Sequence, residues 1–108
     1  MKAQKKHEFQ KVHEQMKSLY DEISLLARKS NKDGINKFKL KFVNNILGRS
    51  NEILGEKYRP FQDFTQFDEV ELPTNSDVTM ILGQYLSCLE KYRYDQAKST
   101  GDIDFDDF

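Results

Sequence analysis

The chain has few residues arranged to do chemistry. Its two histidines, His7 and His13, stand six positions apart. A helical metal pair needs i, i+4 spacing on one face, and six residues place the second ring roughly 120° away from it. The pairs His7-Glu8 and His13-Glu14 therefore read as solvated helix surface. The only cysteine, Cys88, leaves no intrachain disulfide and no cysteine metal cluster. It sits beside an apolar face, where a thiol behaves as a small core residue. The five glycines are too scattered for a phosphate-binding loop. The carboxylates lack the crowded i, i+3 or i+4 pairing of a metal-carboxylate bundle. The expectation is a non-enzyme with no cofactor and no metal.

What the sequence does show is charge sorted by position. Residues 1–60 hold 14 Lys/Arg against 7 Asp/Glu, and residues 61–108 hold 3 against 11. The near-neutral total of −1 hides this split. In the basic half, Lys37, Lys39, Lys41 and Arg49 are the candidate nucleic-acid contacts. At 100° per residue Lys37 and Lys41 share a side and Lys39 lies roughly opposite, so they form no single stripe. The pI of about 6.1 falls short of the basicity of a dedicated binder. A solvated positive face that pairs with the chain's own acids or an acidic partner is the leading reading. Direct nucleic-acid binding stays open as the alternative.

The acids gather in two places, each with aromatics. Phe61, Phe64 and Phe67 recur every three residues in a Pro-bracketed stretch that also carries Asp63 and Asp68. The chain closes on Asp102-Ile103-Asp104-Phe105-Asp106-Asp107-Phe108. Such a segment can seat its rings in pockets while its acids meet a basic rim. These last seven residues resemble the acidic C-terminal tips of bacterial single-stranded-DNA-binding proteins and some phage counterparts. Those tips recruit DNA-processing enzymes, so the resemblance implies a partner-recruiting tail. It departs from the commonest bacterial form, which has Ile-Pro or Leu-Pro where this chain has Asp106-Asp107. The candidate partner-binding residues are Phe61, Asp63, Phe64, Phe67, Asp68, Asp104, Phe105, Asp106, Asp107 and Phe108. Alternatively, the tail folds back on the basic half as a mask, or packs into the bundle.

The elements that position these residues are helical. Phe9, Val12, Met16, Leu19, Ile23 and Leu26 form an a/d seam over about residues 4–29. That seam serves either a bundle core or a second copy of the chain, which would make a homo-oligomer. Turn chemistry at Ser30 to Gly34 ends it. Residues 34–57 carry two neighbouring stripes: Ile35, Phe38, Phe42, Ile46 and Ile53, then Leu40, Val43, Leu47 and Leu54. The alternation of Lys37, Lys39 and Lys41 with Phe38, Leu40 and Phe42 also fits a strand, but the length without Pro favours a helix. Within it, Asn44-Asn45-Ile46-Leu47-Gly48 returns as Asn51-Glu52-Ile53-Leu54-Gly55. The two glycines imply either the close approach of another backbone or, at Gly55, a helix end. Residues 58–73 form a connector, expected to close the open end of the bundle as a lid. Thr74 to Asp77 fits a capping box for a third helix reaching about residue 97.

The fold class is therefore all-α: a small three-helix up-down bundle with an aromatic-rich connector and an acidic C-terminal tail. Residues 1–98 form the bundle domain and 99–108 the acidic-aromatic tail. No secretory signal and no run of about 18–20 apolar residues is evident, so a reducing cytoplasm is expected. Frequent Lys, Asn, Phe and Tyr hint at a prokaryotic or phage genome. The expected function is a non-catalytic interaction subunit or regulator that docks on a larger protein, in DNA metabolism or defence.

Overall fold

The computed structural model describes residues 3–30 and 32–99. Three helices account for most of them: α1 (Ala3–Lys29), α2 (Lys37–Tyr58) and α3 (Asn75–Ser99). They pack on one another, so the chain is an all-α three-helix bundle. The strand alternative at Lys37 to Phe42 does not form. Asn36 decides this locally: its side-chain oxygen accepts from the amides of Phe38 (2.8 Å) and Lys39 (3.2 Å), capping α2. Thr74 does the same for α3, its hydroxyl accepting from the amide of Asp77 at 3.1 Å. Asp77 lies in the first turn, at the positive end of the helix dipole.

The core follows the apolar periodicity. Phe9, Val12, Met16 and Ile23 of α1 are buried with Leu40, Val43, Ile46, Leu47 and Leu54 of α2 and Val78, Leu82, Tyr85 and Leu89 of α3. Each such side chain contributes roughly 1.5–3 kcal/mol of transfer free energy. The seam of α1 is thus spent inside its own bundle, with Leu19 packed partly buried against it. The close helix approach occurs at Gly83, where an added Cβ would lie 3.3 Å from Cε1 of Tyr20.

Neither glycine of the α2 echo marks such an approach. A Cβ on Gly48 would meet open space. Gly55 has φ 65° and ψ −174°, a conformation outside the helix that is open essentially to glycine alone. It breaks α2 before a last short turn, as the helix-end reading requires. The carbonyl of Gly55 then accepts from the amide and Nε of Arg59 at 3.1 and 3.3 Å.

The asparagines explain the echo. Asn44 and Asn51 are seven residues apart on one side of α2, and both hold the connector. The Asn44 amide donates to the carbonyl of Phe67 at 3.0 Å, and its oxygen accepts from the Phe67 amide at 2.8 Å. Asn51 donates to the carbonyl of Thr65 at 3.1 Å and accepts from the Tyr85 hydroxyl at 2.7 Å. At the far end, Ile35 donates to the carbonyl of Pro73 at 2.8 Å and Asn75 to that of Asp33 at 2.9 Å. Residues 59–74 therefore run back along α2 from its last turn to its first.

This path sets the helix directions. Arg49 meets Gln15 and Lys39 meets Glu22, so α1 and α2 form the up-down pair. Tyr85 meets Asn51 and Tyr58 meets Asp95, so α3 runs in the same sense as α2. It is antiparallel to α1, with His13 bound to Glu90. The connector is a strap along the side of the bundle, not the lid over its end that its length alone suggested. The connector is long enough for the return even with its bends, because residues 59–74 fully extended would far outspan the roughly 33 Å of α2.

Candidate docking groove

The strap and α1 flank α2 on two sides, and its core face lies between them. A fourth side stays open. There Phe38 and Phe42 stand one turn apart, 67% and 53% exposed, with ring centroids 5.0 Å apart in an edge-to-face pair. They form one end of a groove of about 670 Å³ between α1 and α2. Leu19 and Ile46 supply further apolar lining, Gln15, Ser18 and Asn45 polar lining, and Lys41 and Arg49 the charge. Among the described residues no carboxylate lines it. The Arg49 guanidinium donates to the Gln15 carboxamide at 3.2 Å, which holds it at the groove wall.

The four basic residues of α2 are thereby divided. Lys41 and Arg49 share the groove. Lys39 turns toward α1, 3.2 Å from Glu22. Lys37 is exposed in the first turn of α2, four residues before Lys41. The structure brings two of them to one site and spends a third on an ion pair.

The connector aromatics form a ladder against the core. Phe61 and Phe64 have ring centroids 6.1 Å apart, and Phe64 and Phe67 are 5.0 Å apart, both pairs edge to face. All three rings are partly buried and pack on core side chains. Asp63 and Asp68 are exposed beside them. The carboxylate of Asp68 accepts from the Val70 amide at 2.7 Å, a local turn bond. Asp104, Phe105, Asp106, Asp107 and Phe108 lie outside the described residues.

Other chemistry-bearing groups have structural partners. His13 is not solvated surface: Nε2 lies 2.7 Å from the Glu90 carboxylate, and the ring stacks on Phe9. Glu90 also receives Arg93 at 2.7 Å. The Tyr58 hydroxyl donates to Asp95 at 2.9 Å. That bond holds the Asp95 carboxyl below its ordinary range and pushes the phenol up. Burial raises the Cys88 thiol, which disfavours the reactive thiolate. Among the described residues no three His, Cys, Asp or Glu side chains are placed to hold a metal ion. No described helix is long and apolar enough to cross a membrane.

Phe38 and Phe42 were legible as apolar but not as exposed. A usable signal existed. Together the two stripes of α2 span an arc of about 200°, wider than the face a helix ordinarily buries against one core. Some of that arc had to remain uncovered, and the groove is that part. The class so defined is a small helical bundle with an open aromatic-basic groove. No known family, no characterised protein and no solved structure matches the chain.

Proposed function

We propose that this protein is a non-catalytic interaction module whose α1–α2 groove receives an acidic, aromatic-bearing segment of a partner protein. One observation carries the reading: two phenylalanines held out in water as a pair, rimmed by Lys41 and Arg49 with no acid in the lining. Exposed rings at a groove mouth are a liability unless a partner covers them. Aromatic anchors in a desolvated centre with a charged rim are the usual anatomy of a small protein interface. The acids of the segment would meet the two cations, and its rings would pack on Phe38, Phe42, Leu19 and Ile46. The acidic connector surface at Asp63 and Asp68 stays available to the same or another partner.

The basic-aromatic character also suits single-stranded nucleic acid, where bases stack on rings. Charge count favours the acidic segment instead. Two phosphate contacts would lose only roughly sevenfold in affinity between 50 and 200 mM salt, whereas dedicated binders with about 6–10 contacts lose 10³–10⁵. Two cations supply too little of the term that dominates nucleic-acid affinity.

The test is a titration of isotope-labelled protein with an Asp/Phe-alternating peptide and, separately, with a single-stranded oligonucleotide. The expected result is peptide-induced shifts at Lys41, Asn45 and Arg49, lost in Phe42→Ser. Oligonucleotide shifts at the same residues with a steep salt dependence, and none from the peptide, would overturn the proposal.

A further inference from the structure

We infer that the groove's occupant is the acidic-aromatic segment 102–108 of a second copy of this chain, an inference that rests on the docking reading of the groove.

The chemistry matches from both sides. Residues 99–108 contain four Asp and no Lys or Arg. Among the described residues the groove is lined by two cations and no acid. In an extended segment, Ile103 and Phe105 fall on one side and Asp102, Asp104 and Asp106 on the other. The two apolar side chains then stand about 6.6 Å apart. Phe38 and Phe42 are one turn apart on α2, a rise of about 6 Å. An extended strand laid along α2 can set Ile103 and Phe105 against those rings while alternate acids face Lys41 and Arg49.

Distance assigns the segment to another molecule. Asn51 meets Tyr85 and Tyr58 stacks edge to face on Tyr92, so α2 and α3 run side by side with a register of 34 residues. Phe42 is thus level with the start of α3, and Ser99 lies about 34 Å farther along the bundle. From Ser99, six extended residues to Phe105 cover about 20 Å, and nine to Phe108 about 30 Å. Even with their side chains added, Ile103 and Phe105 fall short of Phe42 of their own chain, and Phe38 is about 6 Å more distant. Length therefore rules out the seating of Ile103 and Phe105 on Phe38 and Phe42 within one chain. A second copy carries no such limit, and mutual exchange of tails gives a closed two-fold dimer.

The chain has no tryptophan, so Phe108→Trp in the full-length protein is a unique reporter. The expected result is a blue shift of its emission as concentration rises, in step with a solution mass moving from monomer to dimer. Lys41→Glu with Arg49→Glu abolishes both, and so does Asp104→Lys with Asp106→Lys. A chain carrying all four substitutions regains association, which excludes misfolding as the cause of the losses. A water-exposed reporter and a strict monomer at millimolar concentration would overturn the inference, as would association untouched by either charge reversal. A free peptide of residues 99–108 separates this failure from that of the docking reading. If it shifts Lys41 and Arg49 while the full chain stays monomeric, the groove binds acidic segments but not its own. If neither occurs, both readings fall.

Discussion

At the residue scale, two asparagines do more than the aromatic residues they support. Asn51 is the joint of a relay, accepting the Tyr85 hydroxyl and donating to the carbonyl of Thr65. Tyr85 is fully buried, so its hydroxyl has no water to turn to. Asn51→Ala leaves that hydroxyl unsatisfied and should cost about 1–3 kcal/mol. Tyr85→Phe removes the buried donor instead and leaves Asn51 half exposed to water, so it should cost less. Urea unfolding of the two variants checks the order. An equal or larger loss in Tyr85→Phe would mean that ring packing, not the hydrogen bond, matters there. In the sequence, Asn44 and Asn51 appeared only as part of a repeat whose glycines drew attention. Side-chain amides that grip a distant backbone leave no periodic signature, so their role was invisible.

At the element scale, the glycines separate by what faces them. Gly48 is a helical position with open space where a side chain would go. Gly48→Ala should therefore stabilise α2 by about 0.5–1 kcal/mol through lower unfolded-state entropy. Gly83 abuts the Tyr20 ring, and Gly83→Leu should push α1 from α3 at a cost of about 1–3 kcal/mol. Thermal melts of the two variants should move in opposite directions, and a fall in both would refute the reading of Gly48 as open. The three helices were legible from apolar spacing, with boundaries within three residues of those observed. The course of the connector was not. Its Phe spacing announced burial, but only hydrogen bonds to Asn44 and Asn51 determine whether it caps an end or runs along a side.

At the scale of the whole molecule, stability and binding are carried by different apolar residues. Phe9 is buried among Met16, Val12 and Tyr92, and Phe9→Ala should cost about 3–5 kcal/mol. Phe42 is half out in water, so Phe42→Ser should cost only about 1–2 kcal/mol, well below Phe9→Ala, while removing peptide binding. Denaturant midpoints give this comparison directly. A loss in Phe42→Ser as large as in Phe9→Ala would show that the ring belongs to the core and that no docking surface exists there. The charge sorting takes on a geometric meaning at this scale. Lys41 and Arg49 form the basic rim of the groove, whereas Lys39 is paired with Glu22 across the helix interface.

By itself the sequence determined the helical class, the three segments, most of the core and the co-occurrence of acids with aromatics. These are local or periodic properties, written every three or four residues and readable without knowing what packs on what. Tertiary structure alone decided which half of the broad apolar arc of α2 would be buried, that α3 would run alongside α2, and that the connector would follow the side of the bundle. Each of these depends on the distance between residues far apart in the chain, and periodicity holds no record of distance.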